Sequence, residues 1–156
     1  MRNNTSSAAM KYQHSQVSNA DPVQLIVMLY DGALARIAQG RQRLQEKDLL
    51  QAGVAISKAQ AIVGELRQSL NMEAGGDIAG NLSRLYGYLH DLLVKAMREN
   101  SAEPLVEATI LLTELRGAWS EVAKQAKAVF ETNQTVMMLQ GAAGGNQDAT
   151  RVQVKA

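Results

Sequence analysis

Eight residues set the terms for this chain: Ala52, Ala55, Ile56, Ala59, Ile62, Val63, Leu66 and Leu70 recur at i, i+3, i+4, i+7 without a miss. That spacing is one face of an amphipathic helix running to about Leu70, whereas a strand would show alternation. Such a helix gains most of its stability by covering its apolar face, so the rest of the chain must supply partners. The alanines in the stripe let a neighbouring helix approach closely. Asp48 stands where its N-cap belongs.

Three further segments read as those partners. Asp21-Pro22-Val23-Gln24 opens a first helix, with Asp21 as N-cap, Pro22 at N1 and Gln24 at N3 of a capping box. It runs to about Glu46 with a wide apolar set: Leu25, Ile26, Met28, Leu29, Tyr30, Leu34, Ile37 and Leu44. After the reversal in Leu70–Leu82, a third helix is expected to start behind Asp77 as N-cap, because Asn71 and Gly75-Gly76 can take positive φ and end the second. Its inward stripe reads Ile78, Leu82, Leu85, Leu89, Leu92, Ala96, and Asn100 closes it. Ser101 then caps a fourth helix carrying Leu105, Ala108, Leu112, Leu115, Trp119, Val122 and Ala126.

Helices of about 20–25 residues, each ~30–37 Å long, with short connections predict an all-α fold, an antiparallel up-down four-helix bundle over residues 21–127. Residues 1–20 are polar and small, and are expected to form a mobile N-terminal segment. Beyond Lys127 the periodicity fades, so 128–156 is expected to be partly helical and then a flexible, disordered tail from Gly141.

The composition narrows function mostly by exclusion. With one Trp, one Phe and four Tyr, the core must be aliphatic. There is no cysteine, which excludes disulfides and thiolate chemistry. A formal net charge of +1 with both signs interspersed argues against a nucleic-acid surface. No apolar run reaches spanning length, so no membrane insertion is expected and the chain reads as cytoplasmic. The di-iron bundle pattern needs Glu-x-x-His, but Gly87 stands three residues before His90, and His14 is the only other histidine. Neither a metal nor a cofactor is expected. A phospho-accepting role for His90 is outweighed by its reading as an ordinary solvated residue, and an anion site at Gly75-Gly76 fails on the negative charge of Asp77. Nothing points to an enzyme, and no catalytic residue is assigned.

What remains is surplus apolar surface. Tyr86, Leu93 and Met97 form a second stripe on the third helix, and Met28, Leu29 and Tyr30 exceed what one core face of the first needs. Either they fill a broad core or they line a groove for another amphipathic helix, in which Met adapts well to different partners. An empty groove calls for a detachable cover, and Met10 and Tyr12 are the candidates in the polar N-terminal segment. The partner-binding set is therefore Met10, Tyr12, Leu25, Met28, Leu29, Tyr30, Leu82, Tyr86, Leu93 and Met97.

Three stretches between about Tyr12 and Val122 resemble one family, the flagellar secretion chaperone FliS. They are Ala20-Asp21-Pro22 with Gln24-Leu25 and Met28-Leu29-Tyr30-Asp31-Gly32-Ala33; Leu70 to Leu82 with Leu85-Tyr86-Gly87-Tyr88; and Leu111-Leu112-Thr113-Glu114-Leu115 leading to Trp119. The resemblance implies a non-enzymatic cytoplasmic export chaperone. Such a protein binds the C-terminal segment of flagellin in apolar grooves, prevents premature polymerisation and presents it to the flagellar type III export gate. It also implies that the N-terminal segment covers part of the groove in the free protein. An adaptor for a different flagellar or regulatory client stays open, as does a homodimer formed through the same surface.

Overall fold

The computed structural model describes residues 21–154, with side chains described from 21 to 143. These residues form four helices and no strand: α1 (Pro22–Gln45), α2 (Leu49–Gln68), α3 (Met72–Glu99) and α4 (Glu103–Val154). The all-α expectation is met. Two units divide between Ser120 and Glu121, so α4 contributes to both.

Local chemistry sets the helix ends. Asp21 caps α1, its Oδ1 accepting from the Gln24 N–H at 2.8 Å, with Pro22 in the first turn. Asp48 does the same for α2 through the Gln51 N–H at 3.2 Å. Lys47 (φ 60°) and Asn100 (φ 48°) both adopt the left-handed conformation. The Asp48 N–H then reaches back to the Arg43 carbonyl (2.9 Å), and the Ser101 N–H to the Ala96 carbonyl (3.1 Å). These are the six-to-one bonds that satisfy the orphan carbonyls of a helix C-terminus. The Ser101 hydroxyl accepts from the Glu103 N–H at the start of α4.

Pairwise contacts fix the topology of the first unit. An added Cβ at Gly32 would meet Ile62, and one at Gly40 would meet Ile56, so α1 and α2 run antiparallel. Arg67 pairs with Ser83 and Ser57 with Met97, which sets α2 against α3 in the same way. Asp31 binds Arg116, and Gly40 faces Leu105, so α1 and α4 are also antiparallel. Tyr30 and Tyr86 meet across the diagonal between α1 and α3. At Gly40 the approach is so close that a Cβ would lie 2.9 Å from Ile56 Cγ1.

The core is mainly aliphatic, with Ile37, Ile56, Val63, Leu66, Leu89 and Leu112 all buried, but its two largest buried side chains are Tyr30 and Tyr86. The α2 stripe is inward throughout, with only Ile62 and Leu70 half-buried. The α3 stripe holds at Leu89, Leu92 and Ala96 and departs from expectation toward its start. Its buried face is Ala79, Tyr86, Leu89, Leu93 and Ala96, with Leu92 beside it, while Ile78 is 73% exposed. The large Ile78 drew the reading to the wrong face; small Ala79 is the residue that sits in contact. Tyr30, Tyr86 and Leu93, which the sequence leaves open between a broad core and a groove, belong to the core.

The start of α3 also differs. Asn71 is the N-cap, in extended conformation (φ −90°, ψ 99°), and its Oδ1 accepts from the Ala74 N–H at 3.0 Å. Asp77 lies one turn inside the helix. Positive φ falls on Gly76 alone (φ 50°, ψ −125°), where it kinks α3 between its first turn and the remainder.

In the second unit the helix continues to Val154, past the glycines from Gly141 on that suggested a disordered tail. No proline interrupts this stretch, so the local i→i−4 bonds carry on despite the glycines. Its described part carries exposed Val129, Phe130, Met137, Met138 and Leu139. Met10, Tyr12 and the rest of the proposed N-terminal cover lie outside the described residues.

Candidate functional site

The turn from α2 to α3 builds a cleft of about 320 Å³ at one end of the first unit. Leu70 ends the α2 stripe, and the Asn71 cap starts α3 immediately behind it. The Gly76 kink follows within α3, and Ala74 before it and Ile78 after it both line the cleft. Leu82 and Tyr86 add to the lining from farther along α3, Ile26 comes from α1, and Trp119 comes from α4. A Cβ at Gly75 would sit 2.6 Å from that of Ala79, so the kinked turn packs tightly on its own helix.

Among the described residues no charged side chain lines this cleft. Ser69 and Asn71 contribute uncharged polar side chains to its lining, and Tyr86 shares a 2.5 Å hydrogen bond with the Tyr30 hydroxyl in the core, their rings 6.4 Å apart and tilted by 51°. Burial pushes the Tyr30 phenol well above its usual range, and its bond to Tyr86 adds to the shift. Burial also raises Tyr86, while its bonds to Tyr30 and Trp119 act in the opposite sense. Both phenols are neutral at physiological pH, so the cleft offers apolar contact and no titrating group. Nothing in it is arranged as nucleophile, base or oxyanion donor. Among the described residues no three His, Cys, Asp or Glu side chains gather as a metal-ligand set, and no helix is long and apolar enough to cross a membrane.

The residues proposed from sequence divide among several places. Leu82 and Tyr86 line the cleft. Leu25 and Leu29 are half-buried on α1 next to Ile26, and Met28 is 41% exposed there. Tyr30 and Leu93 are enclosed in the core and present no surface. Met97 lies near the other end of the bundle, where it accepts the Ser57 hydroxyl and lines a different trough. Ile26, Leu70, Ala74, Ile78 and Trp119 were read as core or connector residues, yet they line the cleft. The signal for Ile78 was the Gly75-Gly76 pair, since a break resets helical phase and separates Ile78 from the stripe beyond it.

Comparison with known proteins follows the same residues. The family model described as Flagellar protein FliS matches residues 4–126. The chain is 40% identical over 109 residues to the flagellar secretion chaperone FliSB of Pseudomonas aeruginosa, covering 70% of this chain and 86% of that one. It is 39% identical over 113 residues to the flagellar secretion chaperone FliS of Salmonella typhimurium, covering 72% and 84%. The corresponding chaperone of Bacillus subtilis is 29% identical over 116 residues, covering 74% and 86%. The family match takes in α1 to α3 and the first part of α4, and stops at residue 126, near the start of the second unit.

Proposed function

Because the chain belongs to the FliS family, we propose that it is a cytoplasmic export chaperone whose cleft at the α2–α3 turn receives the C-terminal segment of flagellin. Holding that segment blocks premature polymerisation and keeps the client competent for delivery to the flagellar type III export gate. The observation that carries this reading is the uncharged cleft with Ile78 73% exposed on its rim, an apolar surface open to a client.

A disordered client segment must be ordered as it binds, and apolar burial has to offset that cost. Ile78, Leu82 and Trp119 offer anchors for the apolar side of such a segment. Leu25, Met28 and Leu29 extend the same surface along α1. Met10 and Tyr12 are proposed to cover it when no client is present, and a homodimer would draw on the same surface.

The test is co-elution of the purified chain with the C-terminal segment of flagellin at micromolar concentration. A one-to-one complex that persists in high salt is expected, because apolar contacts dominate. Met28→Asp is expected to weaken the complex several-fold through the cost of placing a charge at the contact. Absence of co-elution overturns the assignment of this client.

A further inference from the structure

The opposite end of the first unit carries a second surface of different chemistry. Leu49 (51% exposed), Leu50 (76%) and Val54 (40%) stand out from the start of α2 and line an open trough of about 560 Å³ with Ala61 and Met97. Beside it, a smaller concavity of about 260 Å³ between α1 and α2 is lined by Arg36, Arg43 and Lys58 with three glutamines, and by no carboxylate among the described residues. The two share Val54 and Lys58, so apolar trough and cationic edge are continuous.

The cations are a local excess. Residues 32–58 hold five Lys or Arg against two carboxylates, in a chain whose formal net charge is +1. One of those carboxylates, Glu46, pairs with Arg43 at 3.1 Å, and the other, Asp48, is occupied in capping α2. Arg36 and Lys58 make no ion pair among the described residues; Arg36 is held by the Gln39 amide at 3.1 Å. Leu50, Val54, Ser57 and Ala61 follow one another at i, i+4, i+7 and i+11 along α2, a straight row of ~16 Å, about three helical turns.

We propose that this face is a docking surface for an acidic amphipathic helix, laid along α2 with its apolar stripe in the Leu49–Leu50–Val54 trough and its carboxylates against Arg36 and Lys58. The row length fits a helix, the trough takes its apolar residues, and the edge takes its charges. The trough is open and its cations lie along one edge, an arrangement that matches the charged flank of a helix. It lies at the other end of α2 from the Leu70–Ile78 cleft, so both could be occupied at once. The proposal does not depend on which client fills that first cleft.

The probe is a synthetic peptide of about five helical turns with Leu at i, i+3, i+4, i+7 spacing and Glu elsewhere. A control peptide replaces every Glu by Lys. Binding to the full chain is followed by fluorescence anisotropy and by methyl resonances of the labelled protein. The acidic peptide is expected to bind about tenfold or more tighter than its Lys counterpart at low salt and to lose that advantage near ~0.5 M salt. Its shifts are expected at Leu49, Leu50 and Val54. Arg36→Glu and Lys58→Glu, both outside the core, should each weaken it severalfold, and Ile78→Asp should leave it unchanged. Equal affinity for both peptides, shifts centred on Ile78 and Leu82, or binding to phosphatidylglycerol vesicles without competition from the peptide would each overturn the proposal. Loss of flagellin binding by Ile78→Asp with peptide binding intact separates failure here from failure of the chaperone assignment.

Discussion

Tyr30 and Tyr86 bring two hydroxyls into an aliphatic core, where each serves as the other's partner at 2.5 Å. Removing one oxygen leaves the other buried with its bond gone, a cost of ~1–3 kcal/mol, whereas removing both is far closer to neutral. Denaturant unfolding should therefore show Tyr30→Phe and Tyr86→Phe each destabilised by about that much, and the double variant destabilised by clearly less than their sum. Additivity would mean that the bond contributes nothing. The pH dependence follows from the same burial. Both phenols have folded pKa values above the ~10 of an unfolded tyrosine. The unfolded chain therefore loses its protons first. Their contribution to stability is complete below pH ~10 and falls as pH rises beyond it. Unfolding free energies measured at pH 7, 9 and 11 should change little over the first interval and drop over the second, with a smaller drop in the double Phe variant.

The α2–α3 turn shows what a helix boundary owes to a single side chain. Asn71, with its 3.0 Å bond to the Ala74 N–H, caps α3. Asn71→Ala should cost ~0.5–2 kcal/mol in thermal or denaturant unfolding, and Asp77→Ala, one turn inside, much less. The reverse order would restore Asp77 as the cap. Gly76→Ala should cost ~1–3 kcal/mol, because φ 50°, ψ −125° is strained for any residue with a Cβ. Much of this element level is legible in the sequence: the Asp21 and Asp48 caps, the α2 stripe, and closure of α3 at Asn100 all follow from local chemistry. The second half of the α3 stripe, Leu89, Leu92 and Ala96, is legible too; its first turns are not, because periodicity weights Ile78 and Leu85 above Ala79, and close helix contact favours the small residue. Nor does periodicity separate a tyrosine on a groove from one in the core. Only the partner hydroxyl 56 residues away decides that for Tyr30.

At the scale of the whole molecule, the residues that identify the family are chiefly those that build it. Tyr30 bonds Tyr86, Asp31 pairs with Arg116 at 2.5 Å, and Gly32 lets α2 approach until an added Cβ would lie 3.3 Å from Ile62. The site itself arises only when separated segments converge: Ile26 from α1, Leu70 from the α2–α3 connection, Ile78, Ala79 and Leu82 from α3, and Trp119 from α4. That convergence is why the sequence names the family more readily than it names the cleft. The account's central claim is that this cleft, at one end of the bundle, holds the client. The most direct measurement is calorimetric titration of the flagellin C-terminal segment into wild type, Ile78→Asp and Leu50→Asp, two exposed positions at opposite ends. The account predicts about a tenfold or greater loss of affinity, ~1.4 kcal/mol, for Ile78→Asp and wild-type affinity for Leu50→Asp. Undiminished binding by Ile78→Asp, or a loss confined to Leu50→Asp, would contradict it.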